Sequence, residues 1–189
     1  MKASKKRYAA LADAMATGTF VRLRCRLSPK WKYDGYIVGL NEKFVLLHNA
    51  VEYAFLNGYS VLPLREIRNV DMTSDFVIHR ALQMEGQFPS APSDILLDDW
   101  PSLLASADAY FPLITIHPAH RYPGDRYIGR VSKLKKRSVV LREIDPKAKW
   151  IKPREPYRFA DITEVNFGGR YEAALWRVAQ TDSEPSDLR

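Results

Sequence analysis

WKYDGYIVG (residues 31–39) and YPGDRYIGR (residues 122–130), set side by side, decide how this chain is read. At one constant offset Trp31 meets Tyr122, Asp34 meets Asp125, Tyr36 meets Tyr127 and Ile37 meets Ile128. Farther along, FVLLH (residues 44–48) aligns with SVVLR (residues 138–142) after a three-residue insertion. LPLREIRNVDM (residues 62–72) then aligns with YRFADITEVNF (residues 157–167), so that Leu64 meets Phe159, Ile67 meets Ile162 and Val70 meets Val165. A helix-like run follows each copy, FVIHRALQM (residues 76–84) and YEAALWRVA (residues 171–179). Blocks recurring in one order mark an internal duplication, which has to be found before any element is assigned.

Within a copy the residues read as strands. Val21, Leu23, Cys25 and Leu27 alternate with Arg22, Arg24 and Arg26, the period of a half-buried strand. Residues 36–40 and 44–48 are apolar runs around a turn-length Asn41-Glu42-Lys43, and residues 126–131 and 138–143 are their counterparts. Gly39 and Gly129 stand inside strand patterns, where glycine marks a bend or bulge. A small sheet of this size needs such bends to close and hide its edges.

Asp99 caps a predicted helix over residues 99–110, with Pro101 in its first turn and Trp100, Leu103, Leu104 and Ala107 packing on one or both barrels. The expected organisation is an N-terminal helix, first barrel and short helix over 1–84, and a linker with a helix over 85–110. A second barrel with a C-terminal helix follows over 111–180, then a frayed tail over 181–189.

Charge is segregated along the chain in the same rhythm. The net +7 divides into +6 over residues 1–60, −5 over 61–110, +9 over 111–160 and −3 over 161–189. The 46% hydrophobic and 27% charged fractions fit a globular chain, and no apolar run reaches the ~20 residues that span a bilayer. The basic N-terminus leads into an amphipathic stretch broken by Asp13, which reads as a helix around residues 5–16 of a cytoplasmic protein and not as a signal peptide. Cys25, the single cysteine, fits a reducing compartment and reads as a buried, inert thiol.

The helix around residues 5–16, VRLRCRL, GYIVG, FVLLH and LREIRNV resemble the Sm-like small barrel, within the wider SH3-like class. The resemblance implies a mainly β fold of two tandem Sm-like/SH3-like small β-barrels with short connecting and flanking helices; units this small bury little core alone, so the two are expected to pack as a pseudo-dimer. The Asp-x-Met/Phe-Asn loop and the Arg-Gly or Lys-His dipeptide that carry RNA contacts in that family are replaced here by Gly39-Leu40-Asn41-Glu42 and Arg65-Glu66. YRFADITEVNFGGRYEAAL also resembles a widespread family of bacterial proteins of uncharacterised function, which implies no activity.

The candidate nucleic-acid-binding residues lie in two places. Lys133, Lys135, Lys136, Arg137, Lys147, Lys149, Lys152 and Arg154 join Arg142 and Arg158 in a basic stretch interleaved with Trp150, Tyr157 and Phe159. Cations for phosphates and aromatic faces for bases are what a nucleic-acid surface requires, and residues 147–156 would project as a flexible basic arm. The alternative is that the lysines solvate a hairpin and its loop while Trp150 and Tyr157 pack on the barrel. Arg22, Arg24 and Arg26 form a second row on one strand face, which anions or an internal set of Glu66, Asp71, Asp98 or Asp99 would neutralise.

His117 and His120 have a spacing seen in metal sites, without a carboxylate or cysteine cluster nearby in sequence, so no metal is expected. No nucleophile elbow, phosphate-binding loop, dinucleotide fingerprint or zincin motif appears, and no cofactor is expected. Gly168-Gly169 reads as a chain reversal into the last helix, with an anion-binding turn as the alternative. The sequence thus points to a non-catalytic binding module for RNA or DNA backbone, or else to a protein-interaction adaptor, with no membrane partner.

Overall fold

The computed structural model describes residues 2–27, 32–51, 55–72, 76–152 and 155–181. Trp31, Arg154 and the tail beyond Thr181 lie outside these described residues. The fold is mainly β, as expected. The first half runs α1 (Lys2–Thr17), β1 (Phe20–Cys25), β2 (Lys32–Leu40), β3 (Phe44–Val51), β4 (Phe55–Pro63), β5 (Ile67–Met72) and α2 (Phe76–Met84). After a connection containing no helix or strand come α3 (Trp100–Tyr110), β6 (Ile114–His117), β7 (Tyr127–Lys135), β8 (Ser138–Glu143), β9 (Tyr157–Arg158), β10 (Glu164–Phe167) and α4 (Arg170–Thr181).

Among the described residues the strands form one antiparallel sheet in the order β5-β1-β2-β3-β4-β10-β6-β7-β8-β9. Each half repeats one arrangement, its last strand beside its first and the middle three following in turn. The expectation of two separately closed barrels is corrected by this pairing. β4 spends its second edge on β10 (Val61↔Val165, Ser60↔Asn166, Tyr59↔Phe167), so β4 never returns to β5. The sheet stays open, with β5 and β9 at its two ends.

The register within the halves also corrects the alignment. In β2 a bulge falls between Ile37 and Gly39, and in β7 the same irregularity falls between Val131 and Lys133. A Cβ on Gly35 would lie 2.2 Å from the His48 carbonyl oxygen, and one on Gly129 would lie 2.2 Å from that of Arg142. Gly35 therefore corresponds to Gly129 and Ile37 to Val131, which puts the three-residue insertion before this strand and not after it. The final block keeps its alignment: Val70 pairs with Leu23, and Val165 pairs with Ile116.

Asp99 caps α3 by accepting from the Ser102 amide, and this hydrogen bond holds its carboxyl below the usual range. Trp100, Leu103, Leu104 and Ala107 are buried with Phe44, Leu46 and Val61 of the first half and Ile114, Ile116, Val139 and Leu141 of the second. One helix thus plugs a core that both halves share, each large side chain contributing about 1.5–3 kcal/mol by its burial. α1 covers a separate core with Leu11 and Ala14 over Val21, Leu23, Val45, Leu47 and Ile67. Cys25 is buried there, and desolvation, reinforced by Glu164 and Glu66, pushes its thiol up to about 12.

Candidate functional site

β6 and β10 are short strands of alternating character, Ile114-Thr115-Ile116-His117 and Glu164-Val165-Asn166-Phe167. Their apolar residues face the α3 core, so period-two alternation sends Thr115, His117, Glu164 and Asn166 to the opposite face. That face is not solvent: His117 and Glu164 are both buried at the seam between the halves. Buried polar groups have to be satisfied internally.

A continuous hydrogen-bond chain does so. The Ser60 hydroxyl donates to Asn166 Oδ1 at 2.7 Å, and Asn166 Nδ2 lies 3.0 Å from His117 Nε2. An amide nitrogen only donates, so Nε2 accepts and the imidazole proton sits on Nδ1, which is 3.2 Å from Glu164 Oε2. The same carboxylate oxygen accepts the Tyr33 hydroxyl at 2.7 Å. Burial lowers the His117 pKa against the pull of Glu164, and burial followed by Glu164 raises that of Tyr33. Both directions favour the neutral imidazole and the neutral phenol that the chain requires. Among the described residues Ser60 gives its proton to Asn166 and is linked to the imidazole through that amide.

His120 turns elsewhere, its Nε2 2.9 Å from Glu66 Oε1. The two histidines therefore meet separate carboxylates that are remote in sequence. Among the described residues no group of three His, Cys, Asp or Glu is placed to hold a metal ion. Gly168-Gly169 carries the reversal into α4. There Asn57 Oδ1 of the first half accepts from the Arg170 amide at 2.9 Å.

The arginine row of β1 divides. Arg22 makes two 2.7 Å contacts to the carboxylate of Asp34, on the neighbouring strand directly opposite it. Arg24 reaches Asp71 at 3.8 Å, one of the acids expected to neutralise the row. Arg26 lies just past β1, exposed, its amide bonded to the Glu66 carbonyl.

The basic stretch is split between the two ends of β8. Lys133, Lys135, Lys136 and Arg137 are exposed at the tip of the β7–β8 hairpin, and among the described residues none of the four has an acidic side-chain partner. Lys147, Lys149 and Lys152 are exposed beyond the other end, six strand residues away, or about 20 Å. Over its described residues, the loop that carries them is no free arm. Asp145 Oδ1 accepts from the amides of Lys147 and Lys149, Ile144 bridges to Trp150, and the Ile151 amide bonds the Glu143 carbonyl. Trp150 is half-buried, edge-on to Trp176 at 6.2 Å with the Arg142 guanidinium 4.4 Å over its ring. Tyr157 is buried and donates to Glu143. These aromatics are engaged in packing.

Tyr33, Ser60, Glu164 and Asn166 are absent from the sequence-based site. The signal for two of them was polar residues alternating inside apolar strands, at 164 and 166. No protein-family model matches this chain, and no curated protein and no solved structure matches it.

Proposed function

We propose that this protein is a non-catalytic binding module that takes the backbone of RNA or DNA on the β7–β8 hairpin of its second half. The observation that carries this reading is the exposed, unpartnered set of Lys133, Lys135, Lys136 and Arg137 among the described residues, where Arg22, Arg24 and Arg130 each face an aspartate. Four such cations on one turn attract phosphate and release counterions on contact. With Trp150 packed away, binding is electrostatic and independent of base identity.

Fluorescence anisotropy with labelled single-stranded RNA, single-stranded DNA and duplex DNA tests it at about 50 and 200 mM salt. Binding that weakens steeply with salt and is lost on Lys135→Glu, Lys136→Glu and Arg137→Glu supports the reading. Absence of binding at the lower salt refutes it.

Each half is, in this proposal, one Sm-like unit of the SH3-like class. The repeated strand order, the matching bulges and a helix before each first strand support that. A cytoplasmic location agrees with Cys25 held as a buried thiol. A protein-adaptor role is the second reading, favoured by Val77 and Met84 lying exposed on α2 with Phe88 just beyond it. Salt-insensitive capture of a folded partner would favour it.

A further inference from the structure

A wide concavity opens beside the polar seam, a groove of about 1020 Å³ bordered by both halves. Among the described residues its cationic and acidic side chains are unequal in number: Arg22, Lys32, Arg126 and Arg170 against Asp34 and Glu164. Both carboxylates are already engaged, Asp34 by Arg22 and Glu164 by Tyr33 and His117. On the basic side, Lys32 and Arg170 are exposed, and among the described residues neither has a carboxylate partner. Asn57 spends its oxygen on the Arg170 amide, and both Asn57 and Asn49 line the groove with a side-chain amide. The groove is thus rich in donors and poor in acceptors. A concave surface of that kind, larger than a single ion needs, suits an anion carried on an organic group.

Part of the groove is apolar. Ala50, Phe55 and Ile78 line it, and the Arg170 guanidinium stands 4.5 Å from the centre of the Phe55 ring. Arg170 therefore links the cationic and the apolar residues, and a guanidinium resting on a ring keeps its outward N–H groups aimed for bidentate capture of phosphate. We propose that this groove is a binding site for a phosphomonoester of nucleotide size, with Arg170 and Lys32 on the phosphate, Asn49 and Asn57 donating to its polar edge and Phe55 under its ring. The site is separate from the β7–β8 hairpin and shares none of its lysines.

Calorimetric titration of the full chain with adenosine 5′-monophosphate at about 20 mM salt, where exposed charges are weakly screened, is the test. Saturable binding is expected, and adenosine without its phosphate should bind at least about tenfold more weakly. Lys32→Gln with Arg170→Gln should weaken the nucleotide by about tenfold or more, while Lys135→Glu with Lys136→Glu and Arg137→Glu should leave it within about twofold. Both groove positions are exposed, so an unchanged melting temperature checks the fold of the double variant. Should that variant unfold, amide shift perturbation on the unaltered chain replaces it, with shifts expected at Asn49, Phe55 and Asn57. Equal binding of nucleotide and nucleoside, no saturation up to about 10 mM, or shifts confined to the hairpin would overturn the assignment.

Discussion

Tyr33 and His117 hold the same oxygen of Glu164, one from each half of the molecule, at 2.7 and 3.2 Å. Removing the carboxylate therefore orphans a buried donor, His117, and a half-buried one, Tyr33, at once. Glu164→Leu should destabilise the protein by about 1–3 kcal/mol for each, read as a lowered urea midpoint. In a double-mutant cycle, Tyr33→Phe should recover about 1 kcal/mol of that loss, since the phenol then needs no acceptor. Additive effects would mean that the contact carries no stability.

His48 stacks on Tyr59 at 4.3 Å and accepts at Nδ1 from the Ser90 amide, which ties the interhelical connection to β3. Burial pushes its pKa down to about 4. The unfolded chain binds a proton at His48 near the ordinary imidazole value of 6.5, before the folded chain does. The stabilising contribution is therefore complete above about pH 6.5 and is lost as the pH falls toward 4. His117, lowered in the same direction, adds to the slope. His48→Gln should flatten the stability profile across that window, measured by denaturation at successive pH values. An unchanged slope would assign the acid sensitivity to His117 and the carboxylates.

Gly58 has φ +66°, and a Cβ on it would lie 2.6 Å from the Gly169 amide nitrogen across the seam. Gly86 has φ +65° with nothing within 4 Å of such an atom. Alanine at Gly86 should cost only the left-handed backbone strain, about 1–2 kcal/mol. Alanine at Gly58 should cost that and several kcal/mol more, because two backbones have to separate. The difference in melting temperature between the two variants isolates the crowding, and equal losses would refute it.

Arg22 and Arg24 are neighbours in the β1 row and differ in what holds them. The Arg22–Asp34 fork is part-buried and bidentate, so Asp34→Asn should cost about 1–3 kcal/mol. The Arg24–Asp71 pair is long and about half exposed, so Asp71→Asn should change stability by less than about 1 kcal/mol. Comparable losses would show that the fork adds nothing over a surface pair.

The sequence carries the elements of this fold more clearly than their register. The capped helix at Asp99, the alternating β1 and the two terminal helix-like runs are local patterns, and local physics is enough to form them. Tyr36 and Tyr127 look equivalent as letters, yet Tyr36 is buried beside Phe20 and Leu82 while Tyr127 is half-buried against Tyr157. A slip of three residues moves a side chain to the other face of a strand, and the close approach of Gly35 and Gly129 to a facing carbonyl sets the register instead. The polar seam was less legible still, because Tyr33 and Glu164 stand 131 residues apart and meet only once β4 has paired with β10. The clustering of Lys133, Lys135, Lys136 and Arg137 needed no tertiary information, since the hairpin keeps sequence neighbours together.

The last strand among the described residues, β10, occupies the middle of the sheet, between β4 and β6. During synthesis the outer edge of β4 therefore waits unpaired until residues 164–167 have left the ribosome, as does one edge of β6. For that interval the nascent chain presents two open strand edges, the usual template for mispairing between chains. Protection of those edges by a chaperone would act on this protein at the moment it is most vulnerable.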